Sequence, residues 1–343
     1  MKLTTTLLLS CIISINLTAQ SYLTQARSND QKEWGYINEK GENVIEAKYR
    51  KCYKFSEGLA PIYEGKKFFF INKSGEKLNT ELSSYKLKSA FGFGLLGFEN
   101  GMVPVIVGKK WGYMNTEGKT VISPQYLKAS KFNDGFATVK KGDQFIIIDK
   151  LGKETVVPNI IDLRHFSEGL APFKTADKKF GFVSTDGKIA IKEQFISVGY
   201  FIDGLAWAKT LDKKIGYINK NGEWAIQPKY LGAKNFDPTS GLAMVKETDK
   251  WGYTDKAGNF TIVEADRNNN FSEGLARGKK GEKWGYYDAK GTWVIAAQFD
   301  GVRDFKNGFA AAKKGEKWGF INQKGKWVIQ PTYDAVKDLE LVK

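Results

Sequence analysis

From residue 33 onward the chain is a succession of short stretches in which apolar positions alternate with polar or small ones. Each stretch is closed by Gly, Asn, Asp or Lys. A period of two predicts β-strands separated by tight turns. The clearest stretches are Trp284-Gly285-Tyr286-Tyr287-Asp288 and Trp318-Gly319-Phe320-Ile321-Asn322. Copies begin at Trp34, Trp111 and Trp251, with Gly35, Gly112 and Gly252 in second place, and degenerate copies begin at Phe68, Phe145, Phe180 and Ile215. The anchors are spaced 34, 43, 34, 35, 35, 36, 33 and 34 residues apart, so the long interval holds an insertion, placed at about residues 78–98. No helix of ordinary length is needed, although Thr80 to Ser89 could form a short one.

Two further signatures recur in register. Phe55-Ser56-Glu57-Gly58-Leu59-Ala60 has counterparts at Phe132, Phe166, Phe201, Phe271 and Phe305. A turn follows each anchor strand, as in Asn38-Glu39-Lys40-Gly41, and its Gly is present in all nine units. Asn or Asp at the first position accepts a local backbone hydrogen bond, and Gly three residues later takes the left-handed conformation of a type I turn with a G1 bulge. The strand after it is short and β-rich, as in Trp293-Val294-Ile295. Each unit therefore reads as a three-stranded meander plus a connecting loop. Gly inside a strand weakens it unless something needs the space. The expected occupant is an aromatic ring from a neighbouring strand or unit.

These residues resemble the bacterial WG-repeat (KWG-repeat) family, carried by Lys283-Trp284-Gly285-Tyr286 and Lys317-Trp318-Gly319-Phe320 over about residues 33–333. The resemblance implies an all-β repeat architecture more than any activity. Nine units without a visible strand exchange favour an open stacked or superhelical array; the alternative is a closed, propeller-like ring. In the open array residues 334–343 would cap the last unit, and residues 20–32 would be a short leader.

Residues 1–19 read as a signal peptide: Lys2, an apolar run from Leu3 to Leu17, and a small residue at Ala19. Leu8-Leu9-Ser10-Cys11 is the weaker lipobox reading, because apolar Ile12-Ile13 follows the Cys. Export to the periplasm, cell surface or medium is the expectation. No stretch is long enough to span a bilayer comfortably. Cleavage would leave Cys52 as the one cysteine.

Charge then narrows the partners. With 53 Lys+Arg against 38 Asp+Glu the net charge is +15. Arg occurs only at positions 27, 50, 164, 267, 277 and 303. Base reading and bidentate phosphate binding favour Arg, so no nucleic-acid partner is expected. Lys109-Lys110, Lys140-Lys141, Lys279-Lys280 and Lys313-Lys314 all precede an anchor strand, so the repeat would align them as a stripe for an anionic partner. Trp224, Trp293 and Trp327 share one repeat position, and Trp207 stands outside it. These rings either fill gaps between units or form a binding ladder.

Other motifs fail their own requirements. Gly92-Phe93-Gly94-Leu95-Leu96-Gly97 matches a dinucleotide fingerprint but opens no helix, and Asp266-Arg267-Asn268-Asn269-Asn270 lacks the Gly and Glu of a calcium loop. No metal or cofactor is expected. His165 falls where other units carry lysine, and Cys52 reads as a small buried or half-buried residue. The sequence thus predicts a non-catalytic binding or scaffold protein for a protein partner or an anionic envelope glycan. The runner-up is a glycan hydrolase with acids in the 78–98 insertion.

Overall fold

The computed structural model describes residues 21–27, 32–87, 89–90, 94–95 and 97–342. The expected signal peptide, Cys11 and half of the Gly92–Gly97 motif lie outside them. The described residues contain no helix. The stretch from Thr80 runs irregularly into the two-residue strand Lys86–Leu87, because that strand is needed to edge the third sheet.

Nine small antiparallel sheets form a nine-bladed β-propeller. The fold is all-β and repetitive, and of the two arrangements the chain takes the closed ring. Blade 8 shows the plan: Arg267–Ser272, Leu275–Lys280, Lys283–Tyr287 and Trp293–Phe299 pair in chain order. We number the four strands of a blade in that order, so the third carries the anchor. The first strand comes from the connecting loop and in most blades is only two residues long, as in Lys128–Ala129 and Gly301–Val302. Such a segment is too short to announce itself by alternation. The second and third strands are covered on both faces by neighbouring blades, so they read as continuous apolar runs such as Leu170-Ala171-Pro172-Phe173. The fourth strand alternates, with Ile295 and Phe299 buried and Val294 exposed.

Closure uses both chain ends. Ser21–Arg27, in the expected leader, is the second strand of blade 1 and pairs with Trp34–Asn38. Its other edge takes Ala335–Val336 and Glu340–Val342, from the expected cap. The exchange escapes the sequence because neither segment carries a repeat signature; what it does carry is apolar Leu23, Ala26, Val336, Leu339 and Val342, all buried.

The anchor-strand Gly has a different occupant from the expected ring. Trp284 pairs with Phe299 and Tyr286 with Ile295, so the fourth strand spends four residues where the third spends two. The bulge folds over Gly285, whose missing β-carbon would lie 2.4 Å from the Ile295 carbonyl oxygen. Gly35, Gly112 and Gly319 meet the same backbone atoms of their own fourth strands at 2.3–2.5 Å. Rings join backbone at Gly181, Gly216 and Gly252. Backbone, then, is the common reason for Gly.

Adjacent blades are tied by two recurring contacts. The aromatic two residues after an anchor meets the Phe of the next blade's Phe-Ser-Glu-Gly: Tyr113–Phe132, Tyr217–Phe236 and Tyr286–Phe305 have centroids 4.6–4.8 Å apart. Such pairs contribute about 0.5–1.5 kcal/mol beyond area burial. The same tyrosines donate to the residue that follows the next blade's first strand, Tyr113 to Ser130 O at 2.8 Å and Tyr286 to Arg303 O at 2.6 Å.

Candidate functional site

Antiparallel pairing puts the turn between strands 1 and 2 and the turn between strands 3 and 4 on one face of the ring. The hairpin between strands 2 and 3 therefore lies on the other.

The first face is occupied by its own hydrogen bonds. All nine glycines of these turns, from Gly41 to Gly325, have φ between 75° and 84°; Asn or Asp opens eight of them and Ser184 the ninth. Asn38 Oδ1 accepts from Lys40 N and Glu42 N at 3.0 and 2.9 Å, as the turn chemistry requires. In the Ser-Glu-Gly turns, Glu57, Glu168 and Glu273 sit at φ 50–53°, which non-Gly residues adopt at a cost. Their carboxylates offset it by accepting from the next blade's turn. Glu168 takes Asp203 N and Gly204 N at 2.6 and 3.1 Å, and Glu273 takes Asn307 N and Gly308 N at 2.5 and 2.9 Å. Ser167 Oγ and Ser272 Oγ donate to Phe201 O and Phe305 O. The serines are structural links.

The second face gathers the predicted lysines. From blade 2 onward every hairpin carries lysine, and acids equal the lysines only in Lys246–Lys250. Lys109, Lys110, Lys280 and Lys314 are exposed and form no ion pair among the described residues. Lys140, Lys141, Lys279 and Lys313 face Asp143, Glu154, Glu282 and Glu316 at 3.0–3.7 Å. Ion pairs this exposed contribute little and are readily exchanged for another anion. Three further doublets, Lys66-Lys67, Lys178-Lys179 and Lys213-Lys214, stand at the same place in other blades, and Lys66, Lys178 and Lys213 occupy left-handed positions at the hairpin tips with φ 64–68°; their signal in the sequence is the same pair of lysines before an anchor.

The residue that opens strand 1 differs around this face. Leu127, Ile161 and Leu231 are exposed at 42%, 51% and 46%. At the same place Asp266 and Asp300 accept from Gly281 N and Gly315 N, both at 2.7 Å. Each of these residues donates its N–H to a second-strand lysine carbonyl, so the place is common and only the side chain changes.

The tryptophans are used mainly for packing. Trp224 and Trp327 are half-buried and meet Phe195 and Phe299 of the preceding blades edge-on at 5.7 and 5.6 Å. Trp293 packs on Tyr287 at 5.5 Å, and the Trp207 ring occupies the space over Gly199. The structure brings them into inter-blade clusters, away from the lysine hairpins. Among the anchors, Trp111, Trp284 and Trp318 also join such clusters, and Trp34 lies under Arg27 and Lys337 at 5.5 and 5.9 Å. Trp251 does neither; it lines a cavity on the lysine face.

A model of the WG containing repeat matches residues 34–68, 111–145, 180–214, 215–251, 284–318 and 318–340, together more than half of the chain. The chain belongs to the WG-repeat family. No curated protein sequence matches this WG-repeat chain significantly. Among solved structures it is similar to a eukaryotic initiation factor, at 14% identity and TM-score 0.64, covering 94% of this chain and 98% of that one. It also aligns with apo AztD from Citrobacter koseri at 10% identity and TM-score 0.44, over 94% and 98% of the two chains. A dihydro-heme d1 dehydrogenase, NirN, aligns at 11% and 0.47, over 94% and 75%. At these identities the first likeness speaks to the fold alone, and the other two carry no argument.

The remaining candidate groups of the WG-repeat ring are also engaged. His165 stacks on Tyr200 at 4.1 Å, with Nδ1 3.0 Å from the Tyr200 hydroxyl. Burial pushes the Cys52 thiol up to about 12, so it stays protonated and unreactive at neutral pH. Glu81, the one acid within residues 78–98, accepts from Thr120 N at 2.7 Å. Among the described residues no helix is long and apolar enough to cross a membrane.

Proposed function

We propose that this WG-repeat ring is a non-catalytic binding protein that presents its lysine face to an anionic polymer, an acidic glycan of the cell envelope. The observation that carries the reading is the recurrence of lysine at the hairpins between strands 2 and 3, where Lys109, Lys110, Lys280 and Lys314 are exposed with no ion pair among the described residues; the turn face also carries exposed lysines such as Lys40 and Lys290, but its Glu168 and Glu273 are bound into blade-to-blade hydrogen bonds. Cations repeated around a ring give an extended attractive field with little shape demand, which suits a polymer of like charges. Export, expected from residues 1–19, would put the protein where such polymers are found. A protein partner is the second reading, favoured by exposed Leu127, Ile161 and Leu231 on the same face. A hydrolase built on the 78–98 insertion has Glu81 to offer, and that carboxylate is engaged.

Retention on immobilised polygalacturonate, measured against a neutral galactan and across a salt series, tests the reading. Binding should be specific to the acidic matrix and fall steeply with salt. Equal retention on both matrices, or none on either, would refute it.

A further inference from the structure

Blade 7 departs from its neighbours at one place. In blades 1, 3, 5, 6, 8 and 9 the anchor pairs with an aromatic at the end of the fourth strand: Trp34 with Tyr49, Trp111 with Tyr126, Phe180 with Phe195, Ile215 with Tyr230, Trp284 with Phe299 and Trp318 with Tyr333. The interval from Trp251 to Trp284 is one residue shorter than the usual 34, and Glu264-Ala265-Asp266 stands where the aromatic would fall. The fourth strand of blade 7 shrinks to Phe260–Thr261. In the vacated space is a cavity of about 460 Å³, lined by Trp251, Lys250, Ile262, Ala265, Asp266 and Arg267 among others.

The walls are built. The Trp251 ring is held over Gly232, where a β-carbon would come within 2.8 Å of it. Asn268 is fixed by donating to Val263 O at 3.3 Å and accepting from the Tyr287 hydroxyl at 2.8 Å. Lys250 and Arg267 are exposed and pair with no acid among the described residues. Asp266 has one carboxylate oxygen on Gly281 N at 2.7 Å and the other unengaged.

We infer that this cavity is a subsite for one hexuronic acid residue of an acidic glycan. The indole takes the C–H face of the sugar ring, Lys250 and Arg267 take its carboxylate, and the free Asp266 oxygen accepts a hydroxyl. A neutral sugar would leave both cations unanswered, and a phosphate dianion would meet Asp266. The inference rests on the proposed function, since it names the ligand of the same face, but its test separates the two. A stacked ring and a paired carboxylate give selectivity at one point, while the lysines give length-dependent, salt-sensitive attachment.

The experiment is calorimetric titration of the intact protein with trigalacturonic acid, galactotriose and adenosine monophosphate. The acidic trimer should bind at least about tenfold more tightly than either of the others, as expected when a charge-assisted contact is added or lost. Arg267→Gln should weaken it about tenfold. Ala265→Phe, which refills the cavity with the missing ring, should abolish trimer binding while leaving the melting temperature at or above that of the parent. Lys280→Gln with Lys314→Gln should change trimer affinity less than twofold. Failure of the trimer to bind, or unchanged binding by Ala265→Phe, overturns the subsite even if the protein is still retained on polygalacturonate. Tighter binding of the nucleotide overturns the ligand class. Trimer binding by a protein that polygalacturonate does not retain would uphold the subsite and refute the lysine-face reading.

Discussion

The two faces of the ring are made by the same repeat and differ in what their hydrogen bonds join. On the turn face, acids are drawn into backbone hydrogen bonds that run from blade to blade, Glu168 to Asp203 and Glu273 to Asn307. On the hairpin face the lysines end in solvent or in weak pairs, Asp266 and Asp300 accept from the hairpin N–H groups of their own blades, and glycines such as Gly281 and Gly315 have nothing within 4 Å of a would-be β-carbon. The difference teaches where a repeat spends its constraints. The turn face holds the ring together and tolerates little; the hairpin face is free to carry whatever a partner requires.

Substitution can break that comparison, and the backbone between the faces sets the upper end of the scale. Gly285→Val would drive a branched side chain into the Ile295 and Ala296 backbone, and it should cost about 3 kcal/mol or more, seen as a large drop in denaturation midpoint. On the turn face, Gly291→Val places a β-branched residue at φ 81° and should cost about 1–3 kcal/mol, whereas Gly281→Asn at a hairpin tip should stay within about 0.5 kcal/mol. Glu273→Ala leaves Asn307 N and Gly308 N without their acceptor, and a loss of about 1–3 kcal/mol is expected by the same assay. A hairpin-face variant as costly as these would erase the distinction.

A smaller effect concerns pH. Burial raises the phenol pKa of Tyr36, Tyr113, Tyr253 and Tyr286, and takes Tyr287 to about 12. An unfolded tyrosine ionises near about 10. The fold favours the protonated form, so this contribution is complete below pH ~10 and is lost as pH rises through the folded values. Absorbance of tyrosinate should therefore appear in two stages, exposed phenols first and the buried set together with unfolding; a single stage near pH 10 would contradict the buried clamps.

Much of the ring can be read in the sequence because its constraints are local. The Asn38–Gly41 turn needs only one side-chain acceptor and one left-handed glycine, and the spacing of Trp284 and Trp318 sets the unit. What escaped was set by distant pairing. The match of Ser21–Arg27 to Ala335–Val336 joins segments about 310 residues apart with no shared signature. The bulge over Gly285 could not be told from a covering ring, since both demand the same missing β-carbon. In the candidate site, the lysine doublets were visible, but their common face follows from antiparallel pairing. The role of Trp251 was hidden because every other anchor is packed or covered; its sequence trace was the short interval and the lost aromatic at Glu264-Ala265-Asp266.

The central claim is that the hairpin face binds anions and bears none of the fold's weight. The direct measurement is salt-dependent retention on polygalacturonate of the variant carrying Lys109→Glu, Lys110→Glu, Lys280→Glu and Lys314→Glu, beside its melting temperature. The account predicts an unchanged melting temperature and loss of retention at every salt concentration. Parental retention with the same salt dependence would contradict it.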